Sequence, residues 1–197
     1  MKAIVNITIA LILLSGTFSV ASAQDNDTLK TIFGRKSVRT YADTAVSRDQ
    51  LILLVKAGMA APTACDKRPW DFIVITDKER LKQLADALPF AKMAERAAAA
   101  IVVTGDLSRQ CNGNDASYWM LDCSAASENI LLAAESMGLG AVWTAVFPEA
   151  DRIASVRKIL GIPEGVVPLN LICMGVPKGT NTSKDKFDAK LIHTDKW

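Results

Sequence analysis

Residues 114–137 read as one long helix with almost no polar surface. Ala125, Ala126, Ile130, Leu131, Leu132, Ala133 and Ala134 run nearly all the way round it, and Gly138 follows in a helix-ending position. A helix this apolar must be covered on most sides, either inside a large domain or in an interface between subunits. In a chain of only 197 residues the interface is the more attractive of the two.

Composition places the rest. Half of the residues are hydrophobic, 22% are charged and the formal net charge is +2. That suits one globular domain with a sizeable core, not a disordered chain. A charge of +2 gives no long-range attraction for phosphates, so no nucleic-acid partner is expected. The mean hydropathy of +0.18 is high for a soluble protein, and the first 23 residues account for most of the excess. Met1-Lys2 is a short basic start, residues 4–14 are an apolar run, and Ala21-Ser22-Ala23 carries small residues at the cleavage-defining positions. This layout predicts a signal peptide over 1–23, cut before Gln24, followed by a single domain over 24–197 and a periplasmic or secreted location. The apolar run is too short for a stable membrane span. The alternative is an uncleaved anchor, or a cytoplasmic chain if the leader is misread.

Four cysteines, Cys65, Cys111, Cys123 and Cys173, form no CxxC pair and allow three connectivities. A domain of this size does not need staples, and Cys123 and Cys173 lie in apolar stretches that read as core. His193 is the only histidine, so neither a metal site nor a proton-transfer residue is expected.

Helices alternate with apolar strands. Ser47-Arg48-Asp49-Gln50 and Thr76-Asp77-Lys78-Glu79 have the form of capping boxes. The first opens a helix ended by Pro62, and the second opens one reaching about Ala87. Strands are expected over 70–76, 101–104 and 167–175, the last with Pro168 near its start. A further helix is expected to open at Pro148, run to Leu160 and close at Gly161.

Four segments could carry chemistry. Arg35-Lys36-Ser37-Val38-Arg39 offers three cations and a hydroxyl in five residues, the mixture that a phosphate monoester needs, or else a solvated basic turn. Residues 62–70 form a polar loop between two prolines, suited to presenting hydrogen bonds to a flat ligand, or else an ordinary connection. Gly138-Leu139-Gly140-Ala141-Val142-Trp143 does not match GxGxxG, so a nicotinamide-type dinucleotide fold is not supported. Lys184 and Lys186 in the tail would alone be surface lysines.

Taken in order, these segments resemble the FMN-dependent nitroreductase superfamily over nearly the whole chain from Leu29. The residues that carry the resemblance are Arg35-Lys36-Ser37-Val38-Arg39-Thr40-Tyr41, Ala61-Pro62-Thr63-Ala64 with Pro69-Trp70, and Asp122-Cys123-Ser124-Ala125-Ala126. The match continues through Asn129-Ile130-Leu131-Leu132-Ala133-Ala134, residues 138–143, Ile162-Pro163-Glu164 and Met174-Gly175-Val176-Pro177.

The resemblance implies an α+β fold, a three-layer α/β/α sandwich on a mixed, mostly antiparallel sheet, and an intertwined homodimer with FMN at the interface. It implies that Arg35, Lys36, Ser37 and Arg39 hold the phosphate and ribityl end, helped by Lys184 and Lys186. Pro62, Thr63, Ala64, Cys65 and Asp66 of the other subunit would frame the ring, and Trp143, Thr144 and Ala145 would pass near its reactive edge. Relatives commonly carry Asn and Gln where this chain has Asp66 and Arg68. An ionised Asp66 only accepts hydrogen bonds and would disfavour a reduced, anionic flavin, which Arg68 or Lys67 could offset. The implied activity is ping-pong electron transfer from NAD(P)H, or from another reductant if the chain is exported, to a small electron-poor acceptor such as a nitroaromatic or quinone. A flavin-binding or redox-sensing protein without turnover is the rival. Residues 106–115 are the only short lid candidate.

Overall fold

The computed structural model describes residues 26–111 and 118–197, so the expected signal peptide lies outside the described residues, as do residues 114–117 of the expected long apolar helix. Four strands form one sheet: β1 (Trp70–Ile75), β2 (Ala99–Asp106), β3 (Gly140–Ala145) and β4 (Val166–Gly175), in the order β1-β2-β4-β3. Every neighbouring pair is antiparallel. The parallel component of the expected mixed sheet is a single bridge between Ser37 and Ala141.

Among the described residues the α-helices are α1 (Asp27–Gly34), α2 (Arg48–Met59), α3 (Lys78–Ala87), α4 (Tyr118–Ser136) and α5 (Ala150–Leu160). Side chains alternate across a strand, so β2 and β4 feed two separate cores. Ala99, Ile101, Val103, Ile172 and Met174 face Leu51 and Leu54 of α2 and Cys123, Ala126, Ile130 and Ala134 of α4. Ala100, Val102, Leu171 and Cys173 face Leu81, Leu84 and Ala85 of α3 and Val156 of α5. Helices therefore cover both faces of the sheet, giving the three layers. It also explains why β2 reads as a continuous apolar run with no alternation, since neither face meets water.

Boundaries moved where local chemistry decided them. Asp77, not Thr76, caps α3, its carboxylate accepting from the Arg80 N–H at 2.9 Å. Pro148 lies in a turn, and α5 opens at Ala150 with Glu149 at the cap. Between Val103 and Thr104 the β2–β4 register shifts, because Pro168 cannot donate to the ladder and Leu169 is the extra residue. The Leu169 carbonyl turns to accept from the N–H groups of Val146 and Phe147, which fixes the chain leaving β3.

Cys123 and Cys173 are fully buried free thiols, as their apolar surroundings suggest. The pairing that spacing left open is settled for the other two cysteines, because Cys65 and Cys111 form a disulfide. The antiparallel pairing of β1 with β2 sets Trp70 opposite Gly105, so the loop entering β1 and the segment leaving β2 emerge at one end of the sheet. Two cysteines 46 residues apart are thereby brought to a Cα–Cα distance of 5.7 Å.

Candidate functional site

The basic segment lies along the open edge of β3. Arg35 caps α1 with its N–H on the Thr31 carbonyl, and the chain then runs beside β3, where the Val38 N–H donates to the Ala141 carbonyl at 3.0 Å. Val38 is fully buried, and Gly140 makes room for it: a Cβ on Gly140 would stand 2.6 Å from Val38 Cγ1. Tyr41 ends the segment, its hydroxyl donating to the carbonyls of Val38 at 2.8 Å and Cys173 at 3.2 Å. Burial pushes that phenol far above its usual range, so it stays a neutral donor.

With Val38 and Tyr41 buried, the polar residues around them face outward. Arg35 reaches Glu128 at 3.3 Å and Lys36 reaches Glu135 at 2.6 Å, so α4 holds both cations. Ser37 and Arg39 remain exposed. A cavity of about 280 Å³ is lined by Arg35, Lys36, Ser37, Arg39, Thr182, Lys184 and Lys186. Five cations and two hydroxyls line it, and no carboxylate does. Arg39 also lines a second cavity of about 410 Å³, which continues along β3 over Val142, Trp143, Thr144 and Ala145. One guanidinium thus joins a cationic cleft to a flatter, more apolar one.

The second cleft contains residues that the sequence did not mark. Pro89, Phe90, Lys92 and Met93, from the connection between α3 and β2, form its other wall, with Arg152 of α5. The Arg152 guanidinium lies 5.5 Å from the centre of the Phe90 ring and donates to the Ala145 carbonyl at 3.4 Å. No local sequence pattern marked them, since the connection over residues 88–98 is mostly apolar throughout. The edge of β3 adds backbone donors. Ala141 turns its carbonyl outward to Val38, and alternate residues of an antiparallel edge strand share an orientation, so Trp143 and Ala145 turn their N–H groups toward the cleft.

The loop over residues 62–66 lies elsewhere in the chain and lines neither cavity. Its anchor is Asp122 of α4, a buried carboxylate that accepts from the Thr63 hydroxyl at 2.9 Å and the Ala64 N–H at 3.0 Å. The Arg68 N–H donates back to the Thr63 hydroxyl at 2.9 Å. Asp66 and Arg68 pair with each other, and the Arg68 guanidinium holds the Asp66 carboxyl below the usual carboxylate range. The negative charge that sets this loop apart is thus met by its neighbour. His193 stacks on Trp197 in the exposed tail, away from both cavities. Among the described residues no cluster of His, Cys, Asp or Glu could hold a metal, and no helix is long and apolar enough to cross a membrane.

Comparison with known proteins gives one consistent answer. The model of the nitroreductase family matches residues 32–89 and 87–176. A relative from Archaeoglobus fulgidus, a candidate NADH dehydrogenase/NAD(P)H nitroreductase, is 41% identical over 86% of this chain and 98% of its own. A crystal structure from Parabacteroides distasonis with the same description is 50% identical and superposes with a TM-score of 0.83, covering 88% of this chain and all of that one. An FMN-dependent nitroreductase from Clostridium difficile is 27% identical with a TM-score of 0.79, over 86% of this chain and 99% of that one.

Proposed function

The chain belongs to the nitroreductase family, and from that premise we propose that it is an FMN-dependent NAD(P)H oxidoreductase acting on small, flat, electron-poor acceptors. The observation that carries this reading is the pair of cavities joined at Arg39. The cationic cleft has the charge and hydroxyls that a phosphate monoester needs, with no carboxylate to repel it. The adjoining cleft has an aromatic ring at Phe90 and outward N–H groups for the polar edge of a ring. The residues present therefore fit FMN.

Each part of the site has a stated task. Ser37, Arg39, Lys184 and Lys186 bind the phosphate end, while Glu128 and Glu135 hold Arg35 and Lys36 in place beside it. The N–H groups of Trp143 and Ala145 orient the ring edge. Arg152 places positive charge along the same wall and favours electron-rich states there, while the Lys92 ammonium pairs with Asp86 at 3.1 Å. When bound, FMN supplies the two-electron chemistry, taking electrons from a reduced nicotinamide and giving them to an acceptor in the same slot. No side-chain acid or base is assigned.

The loop over 62–66 completes the ring site from a second copy. Ile52, Leu53 and Met59 of α2 and Tyr118 and Leu121 of α4 are exposed on one side of the molecule, with Leu121 66% exposed. An apolar surface of this kind supports a homodimer, which sedimentation would detect. Export is proposed as well. The leader-like start agrees with a disulfide, which persists in oxidising compartments. Mass spectrometry of the native N-terminus tests it, and a chain beginning at Met1 would refute it.

The decisive experiment is spectroscopic. A purified yellow protein with bands near about 370 and 450 nm, bleached by NADH or NADPH and recoloured by a nitroaromatic or quinone, is expected. A bound flavin that neither nucleotide reduces would favour a flavin-binding protein without turnover.

A further inference from the structure

The loop that enters β1 is folded against its local preferences. Cys65, Asp66 and Arg68 have φ of 54°, 51° and 49°, a left-handed conformation that non-glycine residues adopt only when their surroundings impose it. Three such residues within four positions need several anchors. Asp122 holds the loop at Thr63 and Ala64. Arg109, itself held by Asp106 and Asp71, donates to the Arg68 carbonyl at 3.1 Å. The Asp106 N–H donates to the Pro69 carbonyl at 2.7 Å. Between these anchors, Cys65 is tied by its disulfide to Cys111.

In the single chain that disulfide is open to solvent. Cys65 is exposed and Cys111 is half-buried. The other two thiols, Cys123 and Cys173, are fully buried and pushed up to about 12 by burial, so neither supplies a thiolate that could shuffle with the pair. Thiol chemistry in the folded chain is therefore confined to one accessible bond, in the loop expected to frame the ring.

We propose that Cys65–Cys111 is a thiol-exchange site whose substrate is a dithiol, and that opening it loosens the loop over 63–68 and weakens flavin binding. The second half rests on the flavin reading above. In the exchange, a thiolate of the dithiol attacks one cystine sulfur; the Cys65–Cys111 bond breaks and a mixed disulfide forms. The second thiol then attacks that mixed disulfide and leaves as a cyclic disulfide. Two electrons and two protons pass from the dithiol to Cys65 and Cys111. With the tie at Cys65 gone, the left-handed conformations compete with ordinary ones. If about a tenth of the population keeps the binding geometry, apparent affinity falls about tenfold.

The test uses the purified holoprotein and dithiothreitol, with the Kd for FMN read from the fluorescence of flavin released on dilution. Alkylation followed by mass spectrometry counts free thiols in the same samples. Expected are two newly alkylated cysteines, a Kd raised about tenfold and its return on reoxidation. Cys111→Ser should show the raised Kd without dithiol and no further response. Reduction of the unsubstituted protein gives the same readout should that variant not fold. A folded protein whose disulfide resists the dithiol overturns the exchange site. A reduced protein whose Kd stays within about twofold overturns the coupling, since the hydrogen-bonded anchors then suffice. Failure of the oxidised protein to bind FMN at all refutes the flavin reading instead, and the alkylation count still judges the exchange site.

Discussion

Gly140→Ala should cost far more than one methyl group on a surface strand suggests. The new Cβ would stand 2.6 Å from Val38 Cγ1, 2.7 Å from its Cβ and 2.9 Å from Cγ2. Carbon atoms rest about 3.5–4.0 Å apart, so roughly 1 Å of separation must be created. A rotamer change cannot supply it, because the Val38 Cβ itself is in the way and the side chain is fully buried. The backbone at Val38 must withdraw, which breaks the 3.0 Å hydrogen bond from its N–H to Ala141. Overpacking costs about 1–3 kcal/mol and the lost bond about 0.5–1.5 kcal/mol, so a destabilisation of roughly 2–4 kcal/mol is expected. In a chain of this size that corresponds to a fall in Tm of about 5–15 °C. Arg39 moves with Val38, so FMN affinity should fall too. The cause is separated by Val38→Ala, which makes a cavity of its own but relieves the clash. The double variant should be more stable than the summed single costs by at least about 1 kcal/mol. Urea unfolding of the four proteins at one concentration measures this. Strictly additive costs, or a Gly140→Ala protein as stable as the parent, would refute the close packing of the basic segment on β3.

Asp122→Ala removes the acceptor for the Thr63 hydroxyl and the Ala64 N–H; a loss of about 2–4 kcal/mol is expected in denaturant unfolding, with faster hydrogen exchange in the loop. Arg39→Gln should leave Tm nearly unchanged, because the residue is exposed, while FMN retention on gel filtration is lost. The Ser108 hydroxyl, then the Arg109 guanidinium, holds the Asp106 carboxyl below the usual carboxylate range. Its stabilisation is therefore complete above the unfolded value of about 3.9 and disappears as pH falls through the lower folded value. Acid unfolding of Asp106→Asn should accordingly show a shallower dependence on pH below about 4 than the parent protein does.

Much of the fold was legible because its signals are local. The capping box at Ser47 and Gln50, the glycine closing α5, the β-branched run in β2 and the apolar α4 are each set by chemistry within a few residues, and all four elements formed. The basic segment over residues 35–39 was visible for the same reason. Some boundaries were misplaced by a residue or two: at α3 the adjacent Thr76 and Asp77 compete for one cap, and α5 opens two residues after Pro148.

The rest depended on residues that meet only after folding. Phe90 and Arg152 carry no recognisable pattern, yet the connection after α3 and the first turn of α5 converge on the edge of β3. Asp122 opened one of the matching helical segments with no task assigned to it, and its role comes from facing a loop 58 residues away in the chain. The Cys65–Cys111 bond is the clearest case. Spacing alone allowed three pairings or none, and only the antiparallel register of β1 on β2 brought those two sulfurs together. Periodicity and caps belong to a chain segment and survive in the bare sequence. Which side chains share a cleft is a property of strand order and register, and those are decided by how the two cores pack.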